Sequence, residues 1–251
     1  MKKIIDNFST QSKIYQKYRP VYPPELYSTI LSLVNNKQLA WDCGTGNGQV
    51  ATILAKAFKQ VEATDISENQ LKNALPKDNI HYSLQRAEST NFSDNTFDLI
   101  TVGQAIHWFD FTAFYQEVQR VGKPKSLLAI FGYGLLKIEG INAPLANFYT
   151  NTIGPYWNKE RRFIDEGYQT IPFPFEEIQL NQSFTIVDNW TIQQLEGYLN
   201  TWSSVQRFMR QEGFNPVTSF IKQLQPLWQT THKKVSFPLS LIHISEPTRP
   251  Y

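Results

Sequence analysis

Leu39-Ala40-Trp41-Asp42-Cys43-Gly44-Thr45-Gly46-Asn47-Gly48-Gln49 decides how this chain is read. A short apolar run ends on an acid and opens into a glycine turn. That is the pattern of a buried strand whose carboxyl end feeds a tight loop and then a helix, expected over Gln49 to Phe58. Glycine suits such a loop because the backbone must take dihedrals closed to residues with a Cβ and must let a ligand approach closely. The helix that follows offers unpaired N–H groups at its first turn, which favours a carboxylate or phosphate there. A second apolar strand, Gln60 to Thr64, ends on Asp65, about 20 residues beyond the glycines, where an acid reaches ribose hydroxyls in doubly wound nucleotide folds. The ribose role is preferred to the alternatives, a turn residue or the cap of the helix from Ser67.

The spacing separates ligands. A dinucleotide loop is G-x-G-x-x-G, whereas Gly44, Gly46 and Gly48 make G-x-G-x-G, with Gln49 in the place of the third dinucleotide glycine. This pattern resembles motif I of the class I S-adenosylmethionine (SAM) methyltransferases. The resemblance implies SAM as cofactor, with Asp42, Gly44, Gly46, Gly48 and Asp65 around it.

Composition sets bounds around this motif. The chain has 251 residues, 41% hydrophobic and 18% charged, enough for one domain with one core. A net charge of +2 with no long basic run gives no argument for nucleic acid. The single cysteine, Cys43, excludes an internal disulfide and reads as a small buried side chain. No apolar segment follows Lys2 and Lys3, and none approaches about 18 residues, so neither a signal peptide nor a membrane span is expected and the cytoplasm is the expected compartment.

Ahead of the motif, a helix is expected over Phe8 to Arg19, stopped by Pro20, Pro23 and Pro24, and a second over Glu25 to Val34. In many small methyltransferases such a lead-in covers the cofactor. Tyr18 and Arg19 then meet the methionine end of SAM, Arg19 through its carboxylate; alternatively both pack the helix onto the sheet. Beyond Asp65 come a short helix, Glu68 to Ala74, and a third strand, Ile80 to Leu84. Ala87-Glu88 matches the Ala-Asp or Ala-Glu pair that lies near the adenine in these enzymes. Phe92-Ser93-Asp94-Asn95-Thr96-Phe97-Asp98 matches the family signature leading into a fourth strand.

The run Gln104-Ala105-Ile106-His107-Trp108-Phe109-Asp110 narrows the resemblance to the type 11 branch that includes trans-aconitate methyltransferase. It sits at the carboxyl end of a central strand, where open α/β sheets place ligands, and it nominates Gln104 and Trp108 for the cofactor. A helix over Thr112 to Arg120 and a turn at Gly122-Lys123-Pro124-Lys125 lead to a fifth strand, Ser126 to Phe131. Relatives usually have glycine at the place of Lys125.

Strands alternating with helices imply a doubly wound, mostly parallel, Rossmann-like α/β sheet, seven-stranded by the resemblance. An aromatic-rich insertion over about 132–178 is expected to form a substrate lid, and it carries Arg161 and Arg162. A sixth strand is expected over Phe175 to Val187, helices over Thr191 to Trp202 and Pro216 to Trp228, and a last antiparallel strand from Lys233, inserted between strands five and six. One domain is expected over residues 1–238. Residues 239–251 read as the translation of a transposase sequencing adapter, although Val235, Phe237, Leu239 and Leu241 keep the alternation of a strand.

Methyl transfer from a sulfonium needs mainly alignment and exclusion of water. Aromatic faces such as Tyr18 or Trp108 add cation–π attraction to the sulfonium. A hydroxyl, amine or carbon acid needs a base, for which His107 is the candidate; a carboxylate needs only orientation by arginine, with Arg19, Arg161 and Arg162 as candidates. His107 reads equally as a structural plug. The expected partner is a small-molecule acceptor, with no metal. A nicotinamide oxidoreductase is disfavoured by Gln49 and by the lack of a Tyr-x-x-x-Lys pair, and a catalytically silent relative by the intact glycines and acids.

Overall fold

The computed structural model describes residues 18–246, the side chains of 240–243 excepted. The lead helix expected over residues 8–19 lies outside the described residues apart from its last two, as do residues 247–251. Among the described residues eight strands form one sheet: β1 (Leu39–Cys43), β2 (Gln60–Asp65), β3 (Ile80–Leu84), β4 (Phe97–Gly103), β5 (Gly122–Tyr133), β6 (Lys137–Ile138), β7 (Thr185–Trp190) and β8 (Lys233–Ser245). Their order is β3-β2-β1-β4-β5-β8, with β1 to β5 parallel. β8 runs antiparallel, with β5 and β6 along one edge and β7 along the other.

Alternation along the strands builds two cores. Ala40, Val61, Leu99 and Ala129 face one, under α1 (Pro24–Leu33), α2 (Gln49–Leu54) and the late helices α7 (Ile192–Asn200), α8 (Ser203–Glu212) and α9 (Pro216–Leu224). Trp41, Cys43, Ile100 and Leu128 face the other, under α4 (Phe111–Val121). A parallel sheet must be covered on both faces, and β4 accordingly is buried from Phe97 to Val102. Burying one large apolar side chain contributes about 1.5–3 kcal/mol. Trp41, with no exposed surface, also satisfies its indole N–H on Thr64 Oγ1 at 2.8 Å. Asp98 of the Phe97-Asp98 signature is structural: it accepts the backbone N–H groups of Gln38 and Leu39 and the Lys123 ammonium, tying β1 to β5.

Several expectations need correction. The sheet has eight strands rather than seven because β6 continues the β5 edge, pairing with Val235 and Ser236. The helix from Gln49 ends at Leu54 rather than Phe58, where i−3 hydrogen bonds tighten the chain and turn Phe58 into the core. β5 starts at Gly122: Phe97 pairs with Gly122 and Leu99 with Leu127, so the supposed turn is a bulge in the strand, and Lys125 takes φ 65° there.

The sixth strand covers Thr185–Trp190 rather than Phe175 to Val187. Phe175 instead turns to pack edge-on against Tyr115, although Glu177 still bridges to Ser245. α8 has no counterpart among the expected helices; its buried stripe is only Ser204, Val205 and Phe208, and no side chain caps it. The shorter helices after Ser67, Thr191 and Asn215 begin as expected and stop early, at Lys72 (α3, Glu68–Lys72), Asn200 and Leu224.

Candidate functional site

At the carboxyl ends of β1 and β2 the glycine loop is held by two acids. Asp42, 1% exposed, accepts hydrogen bonds from Thr45 Oγ1 (2.5 Å), Thr101 Oγ1 (3.0 Å) and Ala51 N (3.0 Å), so one carboxylate joins the loop, β4 and α2. Burial pushes its carboxyl up to about 6, against the lowering effect of those donors and with a further push from Asp65. Asp65 accepts Gly46 N at 2.8 Å and Ser67 N at 2.9 Å. The cap of α3 is Ser67, not Asp65. Burial raises the Cys43 thiol well above its ordinary value, which keeps it from acting as a nucleophile.

Gly46 and Gly48 differ. Both lie in the left-handed region, at φ 56° and 84°, but a Cβ on Gly46 meets nothing within 4 Å, whereas one on Gly48 runs into the Tyr82 hydroxyl. Gly46 lines an open cleft; Gly48 is outside its lining and backs onto β3. Of the residues nominated from the sequence, Arg19, Asp42, Gly44, Gly46, Asp65, Ala87, Glu88, Gln104 and Trp108 line this cleft together. Glu88 also braces the neighbouring segment. Its Oε1 accepts the backbone N–H of Asp110, and Asp110 in turn caps α4, so the acid anchors the stretch that carries His107 and Trp108.

Gln104 takes φ 57°, and its side chain hydrogen-bonds the backbone N–H and C=O of Tyr133. Asn47 and Gln70 also border the cleft, and their Nδ2 and Oε1 atoms are buried without a hydrogen-bond partner among the described residues.

A second, smaller cavity shares Arg19, Gln104 and Trp108 with the cleft and is completed by His107, Trp157, Asn158, Arg161, Ile164, Trp202 and Ser203. His107 is 4% exposed, and its Nδ1 lies 3.1 Å from the Tyr168 hydroxyl, with the two rings stacked. Arg161 Nε donates to Tyr149 Oη (2.7 Å) and to Asp165 (3.4 Å), and the guanidinium lies 4.6 Å over the Trp157 ring. Arg19 donates to the Tyr133 hydroxyl at 3.2 Å and stands over the Tyr198 ring.

Besides Gly48, two candidates sit outside both cavities. Tyr18 presses on Gly197 of α7, which leaves it a packing role in this structure. Arg162 is exposed and rests on the Phe163 ring, because on a short helix it points away from its neighbour Arg161. Asn47, Gln70, Trp157, Asn158 and Trp202 join the site without having been nominated by sequence reasoning. Asn47 sits inside the glycine motif and was legible there; the others enter only through tertiary folding.

The family model described as a methyltransferase domain matches residues 41–130. A Dictyostelium discoideum protein named as a methyltransferase is 35% identical over 250 residues, spanning 96% of this chain and 95% of its own. One from Schizosaccharomyces pombe, also named as a methyltransferase, is 24% identical over 82% of each chain. A solved structure from Anaeromyxobacter dehalogenans, described as a type II methyltransferase, is 31% identical with a TM-score of 0.84, covering 93% of this chain and all (100%) of that one. Identity at that level along nearly the whole of both chains, joined to the shared fold, places this chain in the class I SAM-dependent methyltransferases that carry the type 11 domain.

Proposed function

We propose that the chain methylates a small anionic acceptor, a carboxylate, held in the inner cavity by Arg19 and Arg161. The observation that carries this reading is that two arginines line one aromatic-walled pocket, which shares Arg19, Gln104 and Trp108 with the cofactor cleft. The grouping with trans-aconitate methyltransferase, implied by the motif around His107, belongs to the same proposal.

The cleft fits SAM on its own geometry. Gly46 faces open space, and Asn47 and Gln70, which line the cleft, carry buried polar atoms, Nδ2 and Oε1, with no partner among the described residues. In this reading the loop backbone takes the methionine end, Asp65 the ribose hydroxyls, and Ala87 and Glu88 the adenine. SAM supplies a methyl group on a sulfonium, a good leaving group that needs no acid. What remains for the chain is to orient and to exclude water. Trp108 borders both cavities and offers an aromatic face at their junction, where cation–π attraction contributes about 0.5–2 kcal/mol.

A carboxylate is already ionised at neutral pH, so its orientation by arginine replaces general base catalysis. His107, buried and fixed against Tyr168, serves geometry in this reading. Transfer from labelled SAM across carboxylates, phenols and amines, with product mass spectrometry, is the test. Carboxylate products are expected. Arg161→Ala should lower kcat/KM at least about tenfold, roughly 1.4 kcal/mol, while His107→Gln keeps a large part of turnover. The reverse ranking, with a rate that falls as pH drops through the histidine range, would identify a base mechanism instead.

A further inference from the structure

Two residues that border the inner cavity carry side-chain nitrogens that nothing in the described chain satisfies. Trp157 Nε1 and Asn158 Nδ2 are shut off from solvent, belong to residues that border this cavity, and have no hydrogen-bond partner among the described residues. Both are donors. An indole nitrogen only donates. The Asn158 amide is oriented from α8, because Arg207 Nη2 donates to its Oδ1 and so commits the oxygen, leaving the NH2 as the other end.

The charged groups that border the cavity, Arg19 and Arg161, also only donate. Arg161 spends Nε on Tyr149 and Asp165, and its terminal nitrogens make no hydrogen bond within the described residues. Its guanidinium, stacked on the Trp157 ring, adds positive charge beside the indole N–H.

A buried donor without an acceptor is costly, and native chains seldom keep two side by side. A cavity that keeps them next to guanidiniums suits a ligand rich in acceptor oxygens. Position adds a second constraint. The reacting group of an acceptor must reach the wall shared with the cofactor cleft, formed by Arg19, Gln104 and Trp108. Trp157 and Asn158 border only the inner cavity, so they meet a part of the ligand away from the reacting group.

We propose that Trp157 and Asn158 are specificity-determining residues that bind a second oxygen-bearing group of the acceptor, remote from the carboxylate that is methylated, with Arg207 as the positioning residue for the Asn158 amide. This rests on the reading of the acceptor as an anion. A site built to hydrogen-bond a group discriminates strongly against analogues that lack it, because the buried donors are then left unpaired.

The test compares matched short-chain acids that end in methyl, hydroxyl or a second carboxylate, by transfer from labelled SAM. The wild-type protein should prefer the oxygen-ended acids by about tenfold or more in kcat/KM. Trp157→Phe keeps the ring and removes the N–H, and should shrink that preference mainly through KM. Asn158→Asp keeps the contact to Arg207 but replaces the amide donor with an acceptor, and should place the diacid last. Arg207→Met should weaken the preference in the same direction as Asn158→Asp without inverting it. SAM affinity by calorimetry should stay at the wild-type level in all three, since none of these residues borders the cleft, and this also reports folding.

Acids methylated with a ranking that Trp157→Phe and Asn158→Asp leave intact would overturn the inference alone. Phenols or amines methylated and no acid would overturn the anion reading and this inference with it.

Discussion

The Gln104 side chain pairs with the Tyr133 backbone as a strand would: Nε2 donates to the carbonyl at 2.9 Å and Oε1 accepts the N–H at 2.8 Å. β4 has ended, β5 continues, and one amide carries the ladder a step further. Tyr133 then offers its hydroxyl to Arg19 at the boundary between the two cavities. Gln104→Ala leaves both backbone groups of Tyr133 without that partner. Denaturant unfolding should show a loss of about 1–3 kcal/mol. Weaker SAM binding by calorimetry should accompany it.

Asp42 gives the apo protein a specific pH response. In the unfolded chain its carboxyl titrates near the ordinary value of about 3.9, and burial holds it near 6 in the fold. Between these values the folded state keeps a proton that the unfolded state releases. The contribution of Asp42 to stability is therefore greatest below about pH 4, declines as pH rises towards about 6 and is constant above. Urea unfolding across that window should show the decline in the wild-type protein and its absence in Asp42→Asn.

The two inner glycines of the motif should fail differently. Gly46→Ala places its methyl in open space, so most of its effect should fall on SAM affinity, with strain from the positive φ limited to about 1–2 kcal/mol. Gly48→Ala adds a collision with Tyr82 to the same strain and should lose more stability in thermal unfolding. Equal melting temperatures for the two variants would contradict this division.

Ser245 is fully buried between Leu128 and Glu177, and its hydroxyl has no partner among the described residues. Ser245→Ala should therefore be neutral or stabilising, by up to about 1 kcal/mol in denaturant unfolding. A serine placed there by chance suits the proposal that residues from Leu239 onward are adapter-derived. Sequencing across Leu239 from independent DNA checks that origin directly.

Where the sequence was legible, local pattern and tertiary demand coincide. The run from Leu39 to Gly48 carries strand, loop and ligand chemistry within a few residues, and β3 appears with the bounds its alternation predicts. The inner cavity was only half legible. His107 and Arg161 stand out by residue type, but Trp157, Asn158 and Trp202 are aromatic or amide residues in two distant segments, and only the packing of 154–165 against α7 and α8 makes them neighbours. α8 was hidden because a helix that buries so narrow a stripe leaves little periodic signal. At Gly48 the motif glycine backs onto Tyr82 of the neighbouring strand, a contact that only folding creates.

The position of β8 also has a consequence for synthesis. β1 to β5 pair in parallel among themselves and can assemble as they leave the ribosome, but among the described residues β7 pairs only with β8, which is made more than 40 residues later (190 to 233). Until then the outer edge of β5, a strand buried from Ser126 to Tyr133 in the finished fold, is open. Unpaired apolar edges recruit other chains. Aggregation of nascent or truncated forms should accordingly be governed by how soon the last strand arrives.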